Sequence, residues 1–267
     1  MILRYIFRWP LRATLTITGI AFSVAILVMS LFFFDAVGKM MEIHFFETER
    51  QDMSLTFVDV RTDAARSNVD NLPGVLMVET YRVARAKLRL GHREERVSIN
   101  GLNGDMELSR MVDVNGRAVT PPPEGIILSE KLAELLAARV GDIVTVSALE
   151  GRRPVRQIPV VRIIRQYIGF AAYMDRRALN RLMGEGDVIS GAHVLTDSRL
   201  EPALYSTLKG VPALLGLAVR RAALKMFSDM IKEHLHTMIF FYLTFAILIA
   251  VGVIYNSARI SLSERAR

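Results

Sequence analysis

Two uncharged runs dominate the hydropathy pattern of this 267-residue chain. Residues 15–34 read LTITGIAFSVAILVMSLFFF, and 12 of them are Leu, Ile, Val or Phe. A helix rises about 1.5 Å per residue, so 20 residues cover roughly the 30 Å hydrocarbon core of a bilayer. Residues 237–255, TMIFFYLTFAILIAVGVIY, carry no charge either. The pattern predicts two transmembrane helices, at 15–34 and 237–256. The first run is too long for the apolar region of a secretory signal, and no A-x-A site follows Phe34.

The helical spacing continues past both runs. Val37, Met40, Met41 and Phe45 follow the first; Met226, Phe227, Met230, Ile231 and Leu235 precede the second. Charged residues are interleaved on the other faces. Each span is thus expected to extend outward as an amphipathic helix, at 35–50 and 222–236. The favoured reading is a paired stalk that transmits motion through Val37, Met40, Phe227, Met230 and Ile231. The alternative is two independent helices lying on the globular part.

Between them, residues 51–221 change period. Residues 53–60 alternate as a strand, and 63–72 read as a helix with Asp63 as N-cap. Pro73-Gly74 is a turn. Strands are expected at 75–78, 81–90 and 96–102, with a polar turn at 91–95. The triple proline at 121–123 marks a subdomain boundary. A strand at 125–129, a helix at 130–138, strands at 143–149, 155–164 and 166–171, and a helix at 175–183 follow. The chain then repeats strand, helix, strand at 192–196, 200–209 and 214–219. The expected fold is an α+β extracytoplasmic domain of two β-α-β type halves, with a small β-rich insertion at about 120–190, between two transmembrane helices extended as a stalk.

Charge orients this plan. The head, residues 1–14, carries Arg4, Arg8 and Arg12 without an acid; they share one helical face, with Tyr5 and Trp9 suited to the headgroup layer. It reads as an interfacial helix broken at Pro10, or as flanking charge on a tilted span. The tail, 257–267, carries Arg259, Arg265 and Arg267 against Glu264. Basic flanks stay in the cytoplasm, so both termini are expected inside and the large domain outside. The flanks hold most of the net charge of +7, so the basic balance does not point to nucleic acid. With no cysteine, a disulfide framework and thiol chemistry are excluded.

The chain holds no G-x-x-x-x-G-K-[ST] loop, no H-E-x-x-H and no G-x-S-x-G. No cofactor, metal or catalytic residue is expected, and the chain is not read as an enzyme. His234 and His236 lie on different sides of a helix and make poor joint ligands. Two basic clusters, Arg152, Arg153, Arg156, Arg162, Arg165 and Arg82, Arg85, Lys87, Arg89, could meet an acidic group. A solvated strand face is the default for both.

The tail, with Ser263, Glu264, Arg265 and Arg267, resembles the cytoplasmic exit of the second helix in FtsX-like (MacB-like) ABC transporter permeases. Arg8-Trp9-Pro10-Leu11-Arg12, the T-x-x-G-I-A at 16–21, GIILSEKLA at 125–133 and Val140-Gly141-Asp142 are similar to the same family, in order and spacing. The resemblance implies a permease of the bacterial plasma (inner) membrane without its own nucleotide site. It implies an ABC-type ATPase subunit, a second permease module or homodimer partner, a periplasmic adaptor protein and membrane lipids as partners. ATP hydrolysis would be coupled to movements of the periplasmic domain for export or extraction of a substrate. Ser263, Glu264, Arg265 and Arg267 would contact the ATPase. The family module has four spans and this chain two, so a fragment or a truncated gene is expected, unable to transport alone. A two-span sensor receptor with a periplasmic ligand-binding domain is the alternative. The substrate is not legible.

Overall fold

The computed structural model describes residues 10–42, 48–113, 117–165 and 170–265. Residues 1–9 of the expected head, and Arg267 of the tail, lie outside these residues. The chain divides into two compact units: one spans 40–224, the other takes most of the first and last helices.

The second unit consists of long helices. Helix α1 is Pro10–Glu42 and the last helix, α6, is Arg220–Arg265. Pro10 opens α1, where its missing N–H costs nothing. The two expected spans fall inside these helices. Among the described residues, no helix is long and apolar enough to cross a membrane; both runs include residues whose side chains lie outside that description. Several described side chains of these runs are apolar and open: Phe22, Met29, Phe32, Phe240 and Leu243 are each 60% or more exposed.

In residues 40–224 the two β-α-β halves interlock. The first is β1 (Met53–Thr62), α2 (Ala65–Asp70) and the start of β2 (Val75–Leu90). Helix α2 is shorter than expected. Asp63 does not cap it, because Thr80 and Arg176 occupy its carboxylate. The second half is β10 (Val188–Thr196), α5 (Glu201–Lys209) and β11 (Leu214–Val219). The strand order is β11-β1-β10-β2, all antiparallel, so each half inserts a strand between the two of the other. This is the split β-α-β arrangement. Met53, Leu55, Val78, Ala192 and Val194 fill its core, under Val69 of α2 and Leu204 and Leu208 of α5.

Strand β2 is one continuous strand, where two were expected. Glu79 interrupts the apolar pattern, but its carboxylate accepts the backbone N–H groups of Glu107 and Leu108 at 2.6 and 2.9 Å. The strand therefore runs on into a second structure. Its far half pairs with β3 (Arg93–Leu102) and also with β7 (Ile143–Ala148). With β6 (Ile126–Ser129), β8 (Val155–Ile164) and β9 (Ala172–Asp175), the order β2-β3-β9-β6-β8-β7 returns to β2. It is a closed six-stranded barrel, which leaves no free edge. Two of its pairings, β3 with β9 and β6 with β8, are parallel. The β-rich part thus begins within β2 rather than near residue 120. The expected strand 166–171 falls mostly outside the described residues; β9 begins at Ala172.

The barrel core holds Ala84, Ala86, Leu88, Ile99, Leu128 and Val146. Helix α3 (Glu130–Leu136) adds Leu132 and Leu136, and α4 (Arg176–Met183) adds Leu179 and Met183. Asp175 caps α4 by accepting from the Ala178 N–H at 2.9 Å. The hairpin of β4 (Met111–Val112) and β5 (Ala118–Val119) completes a third cluster with Tyr81, Ile127 and Ile164.

On the sheet face away from α2 and α5, Tyr81 lies across β10. Its hydroxyl donates to the Leu55 carbonyl at 3.0 Å, and its ring stacks on His193 at 4.5 Å. Gly191 makes room: a Cβ there would stand 2.1 Å from the Leu55 oxygen and 2.4 Å from the Tyr81 hydroxyl. His193 also meets Ser54 Oγ through Nδ1, at 3.2 Å. Burial holds its pKa down at about 4 from 6.5. Between pH 6.5 and about 4 the unfolded chain binds a proton that the folded chain does not, so stability falls as pH falls through this window. At 1.36 kcal/mol per unit, the loss reaches at most about 3 kcal/mol near pH 4. Thermal unfolding between pH 7.5 and 4.5 should therefore show a slope that His193→Phe flattens; an unchanged slope would assign it to other groups.

Candidate functional site

The two sheets meet at a single peptide. Tyr81 is the last β2 residue paired with β10, opposite Gly191; Arg82 is the first paired with β3, opposite Gly101. At this handover Arg82 is 2% exposed. Along a strand, residues two apart share a face, so Arg82 points the same way as Ala84, Ala86 and Leu88, into the interior. A buried guanidinium needs partners on every side. Glu185 accepts from Nη2 at 3.0 Å and from Nε at 3.3 Å. Glu150 pairs with Nη1 at 3.0 Å. Ser190 Oγ accepts from Nη1 at 3.0 Å, and the Val83 carbonyl accepts as well. Ser190 belongs to the split β-α-β sheet, Glu150 to the turn after β7 and Glu185 to the loop after α4. Arg82 thus ties both sheets together.

Arg176, the first residue of α4, makes a second tie. It is 4% exposed. Its Nε donates to Asn103 Oδ1 at 2.9 Å, and its Nη1 reaches both Asp187 and Asp63, the latter at 3.4 Å. Asp63 follows β1, and Asn103 follows β3. Gly101 lets α4 approach: a Cβ there would be 3.2 Å from the Arg176 Cα. The two arginines form a polar seam between the sheets.

The first reading of Arg82 as solvated is overturned. Arg85, at 78% exposed, does face solvent and reaches Glu150 at 3.8 Å; Lys87 and Arg89 share its face. The signal that separates Arg82 from these three was strand parity. Arg152, Arg153, Arg156, Arg162 and Arg165 are exposed, and Arg165 pairs with Glu130 at 3.0 Å.

The chain's way in and out is also clamped. Arg220, at the start of α6, pairs with Asp52 at 2.8 Å, and its N–H donates to the Asp52 carbonyl at 2.9 Å. The other Asp52 oxygen accepts from the Thr196 N–H at 3.1 Å. One aspartate thereby joins the ends of β1, β10 and β11 to the root of α6. Arg221 reaches Glu201 of α5 at 3.3 Å. On the entry side, the Arg50 N–H donates to the Leu108 carbonyl at 2.7 Å, and the Arg110 N–H to the Thr48 carbonyl at 2.9 Å.

Of the expected stalk residues, Val37, Phe227 and Ile231 are half-buried, whereas Met230 is 50% exposed. The Met40 side chain lies outside the described residues. On α6 the half-buried positions Leu224, Phe227, Ile231, Met238, Tyr242 and Ile249 recur at three, four or seven, forming one stripe. Ser263, Glu264 and Arg265 fall in the last turns of α6, far along the chain from the seam. His234 hydrogen-bonds back to the Met230 carbonyl at 3.0 Å, within its own helix.

A family model described as MacB-like periplasmic core domain matches residues 13–199. No curated protein matches the chain. Among solved structures, the periplasmic region of MacB from Actinobacillus actinomycetemcomitans is similar at 11% identity. It covers 72% of this chain and 98% of that one, with a TM-score of 0.44. The extracellular domain of the noncanonic ABC-type transporter YknZ from Gram-positive bacteria is similar at 18% identity, covering 63% and 98%, with a TM-score of 0.40.

The seam predicts that Arg82 acts as a fork and not as a point charge. Lysine carries its three donors on a single nitrogen and cannot reproduce the contacts that Nε, Nη1 and Nη2 make to Glu185, Glu150 and Ser190. Arg82→Lys should therefore cost nearly as much as Arg82→Met, about 1–3 kcal/mol, because both partners reach water once released. Thermal unfolding of the two variants checks this. A lysine variant as stable as the parent would show that net charge alone matters.

Proposed function

Because the chain belongs to the family of the MacB-like periplasmic core domain, we propose that it is the permease (transmembrane) subunit of an ABC transporter. In this reading a separate ATPase subunit hydrolyses ATP, and the hydrolysis drives movements of the outer domain that export or extract a substrate. The single observation that carries it is the family match over residues 13–199, which takes in the whole first apolar stretch and the globular domain up to α5. The uncharged runs at 15–34 and 237–255 support two membrane spans. So do the open apolar side chains of α1 and α6, which water would leave unfavourably hydrated. With basic flanks inside, the domain is extracytoplasmic, in the plasma membrane of a bacterium.

The clamps at Asp52 and Arg220 support a transmitting role. Strand β11 passes into α6 without a loop, from Val219 to Arg220. A movement of the α6 root is thus delivered to the sheet directly. Phe227 and Ile231 are the better transmission candidates, since Met230 is open. The polar end of α6, with Ser263, Glu264 and Arg265, lies two to three turns past Tyr255 and can reach a cytoplasmic partner. The chain itself is not an enzyme and holds no nucleotide. A second copy or module, a periplasmic adaptor and lipids complete the partners.

Two sets of variants, in the complete permease with its ATPase, test the assignment. Glu264→Ala with Arg265→Ala should weaken co-purification of the ATPase about tenfold, since charge at an interface edge tunes encounter more than affinity. Phe227→Asp should leave the ATPase bound while uncoupling hydrolysis from transport. Normal binding by the first set with normal transport by the second would remove both roles. Labelling of a cysteine at Arg267 by an impermeant reagent in intact cells would overturn the topology.

A further inference from the structure

An apolar cavity of about 340 Å³ opens between α2 and α5, on the face of the split β-α-β sheet that these helices cover. Its cause is local. Strand β1 shifts register against β10 between Thr56 and Arg61, and against β11 between Thr56 and Phe57. Such irregularities bend a strand and re-aim its side chains. Helix α2 has only six residues and cannot roof the gap. The floor is Leu55, Phe57 and Leu214; the walls are Val69, Leu72 and Leu208.

The polar residues of the cavity are few and uneven. No acidic residue lines it. One cation does: Arg61, exposed at the mouth, which has no ionic partner among the described residues. Asn68 adds an amide. An apolar pocket with one or a few placed polar groups is the usual form of a small-ligand site, and this one is near the small end of their range of about 300–1,000 Å³. The apolar lining asks for hydrocarbon, whereas Arg61 asks for an anion at one end.

We propose that this cavity binds a single-chain anionic amphiphile, with its acyl chain between α2 and α5 and its head on Arg61. The site is built entirely by residues 55–214, so it stands whether or not the chain is a permease.

The full chain in lipid nanodiscs, which leave both sides open, tests this with three photoactivatable probes. Each carries a mid-chain diazirine: dodecanoic acid, the matching dodecanol, and a lysophosphatidate. Mass spectrometry maps the labelled peptides. The acid, the lysophosphatidate or both should label residues 57–72 and 207–214, and the comparison tells which head is preferred. Arg61→Gln should reduce that labelling about tenfold, the loss expected for one charge-assisted contact. It should leave the dodecanol signal unchanged. Ala65→Trp, which fills the cavity, should abolish labelling by all three, and Ala213→Trp repeats the test from the other wall. Labelling confined to α1 and α6, equal effects of Arg61→Gln on acid and alcohol, or labelling that survives both tryptophan variants would overturn the proposal.

Discussion

The architecture depends on β2 serving two sheets with one backbone. Residues 75–81 complete the split β-α-β sheet, and residues 82–90 begin the barrel. A 16-residue strand is about three times the usual length, and it survives because each exception to its apolar pattern is satisfied. Glu79 has two backbone donors, Thr80 has Asp63, and Arg82 has two carboxylates and a hydroxyl. Removing the buried charge would leave two carboxylates and a hydroxyl unpaired at the handover, where the two main core clusters share no residue and only the smaller cluster of Tyr81 with Leu102, Ile127 and Ile164 makes apolar contact across it. Polar contacts are directional, and apolar ones are not. A seam built from two guanidinium forks therefore holds the barrel in one orientation on the sheet, which a greasy interface of the same size would do less well.

Much of the outer sheet could be read from alternation. Met53, Leu55 and Phe57 against Ser54 and Thr56 give β1 its faces. Asp175 before a helix and Leu214 to Val219 as a strand stand where the pattern puts them. The failures share a cause. Each depends on a partner distant in sequence. Glu79 looks like a strand break until the N–H groups of Glu107 and Leu108 are brought to it. Asp63 looks like a helix cap until Arg176 claims it. The barrel closes by setting Ala86–Arg89 against Thr145–Ala148, and no local periodicity predicts such a pairing. The seam was half legible. Parity placed Arg82 with Ala84 and Ala86, but the pull of Arg85, Lys87 and Arg89 suggested one basic face.

The strand order also fixes how a force would travel. The root of α6 joins β11, at one edge of the sheet, and the barrel hangs from β2, at the other. A displacement entering at Arg220 reaches β11 along the chain and β1 and β10 through Asp52, and it passes from β10 to β2 before it reaches the barrel. The links are unequal. The β10–β2 pair runs in register from Gly191 to Leu195, and the β2–β3 pair has no shift over nine residues. By contrast, β1 loses register against β10 between Thr56 and Arg61. The same strand also shifts against β11 between Thr56 and Phe57, and a ladder interrupted in this way has fewer hydrogen bonds to oppose shear.

The weak link and the cavity are the same place. Phe57 and Arg61, which flank the irregular stretch of β1, are also floor and mouth of the space between α2 and α5. An occupant would touch β1 from Leu55 to Arg61, together with α2 and α5, the two elements that cover the sheet there. It would add apolar contact where the ladder supplies least, and it would be lost if β1 slid against β10. Were β1 to slide, a ligand with different affinity for the two arrangements would shift their balance by that difference and no more. In a permease, an occupant of the cavity would thus bear on the linkage between α6 and the barrel where the ladders of β1 are interrupted, while the arginine seam ties the far end.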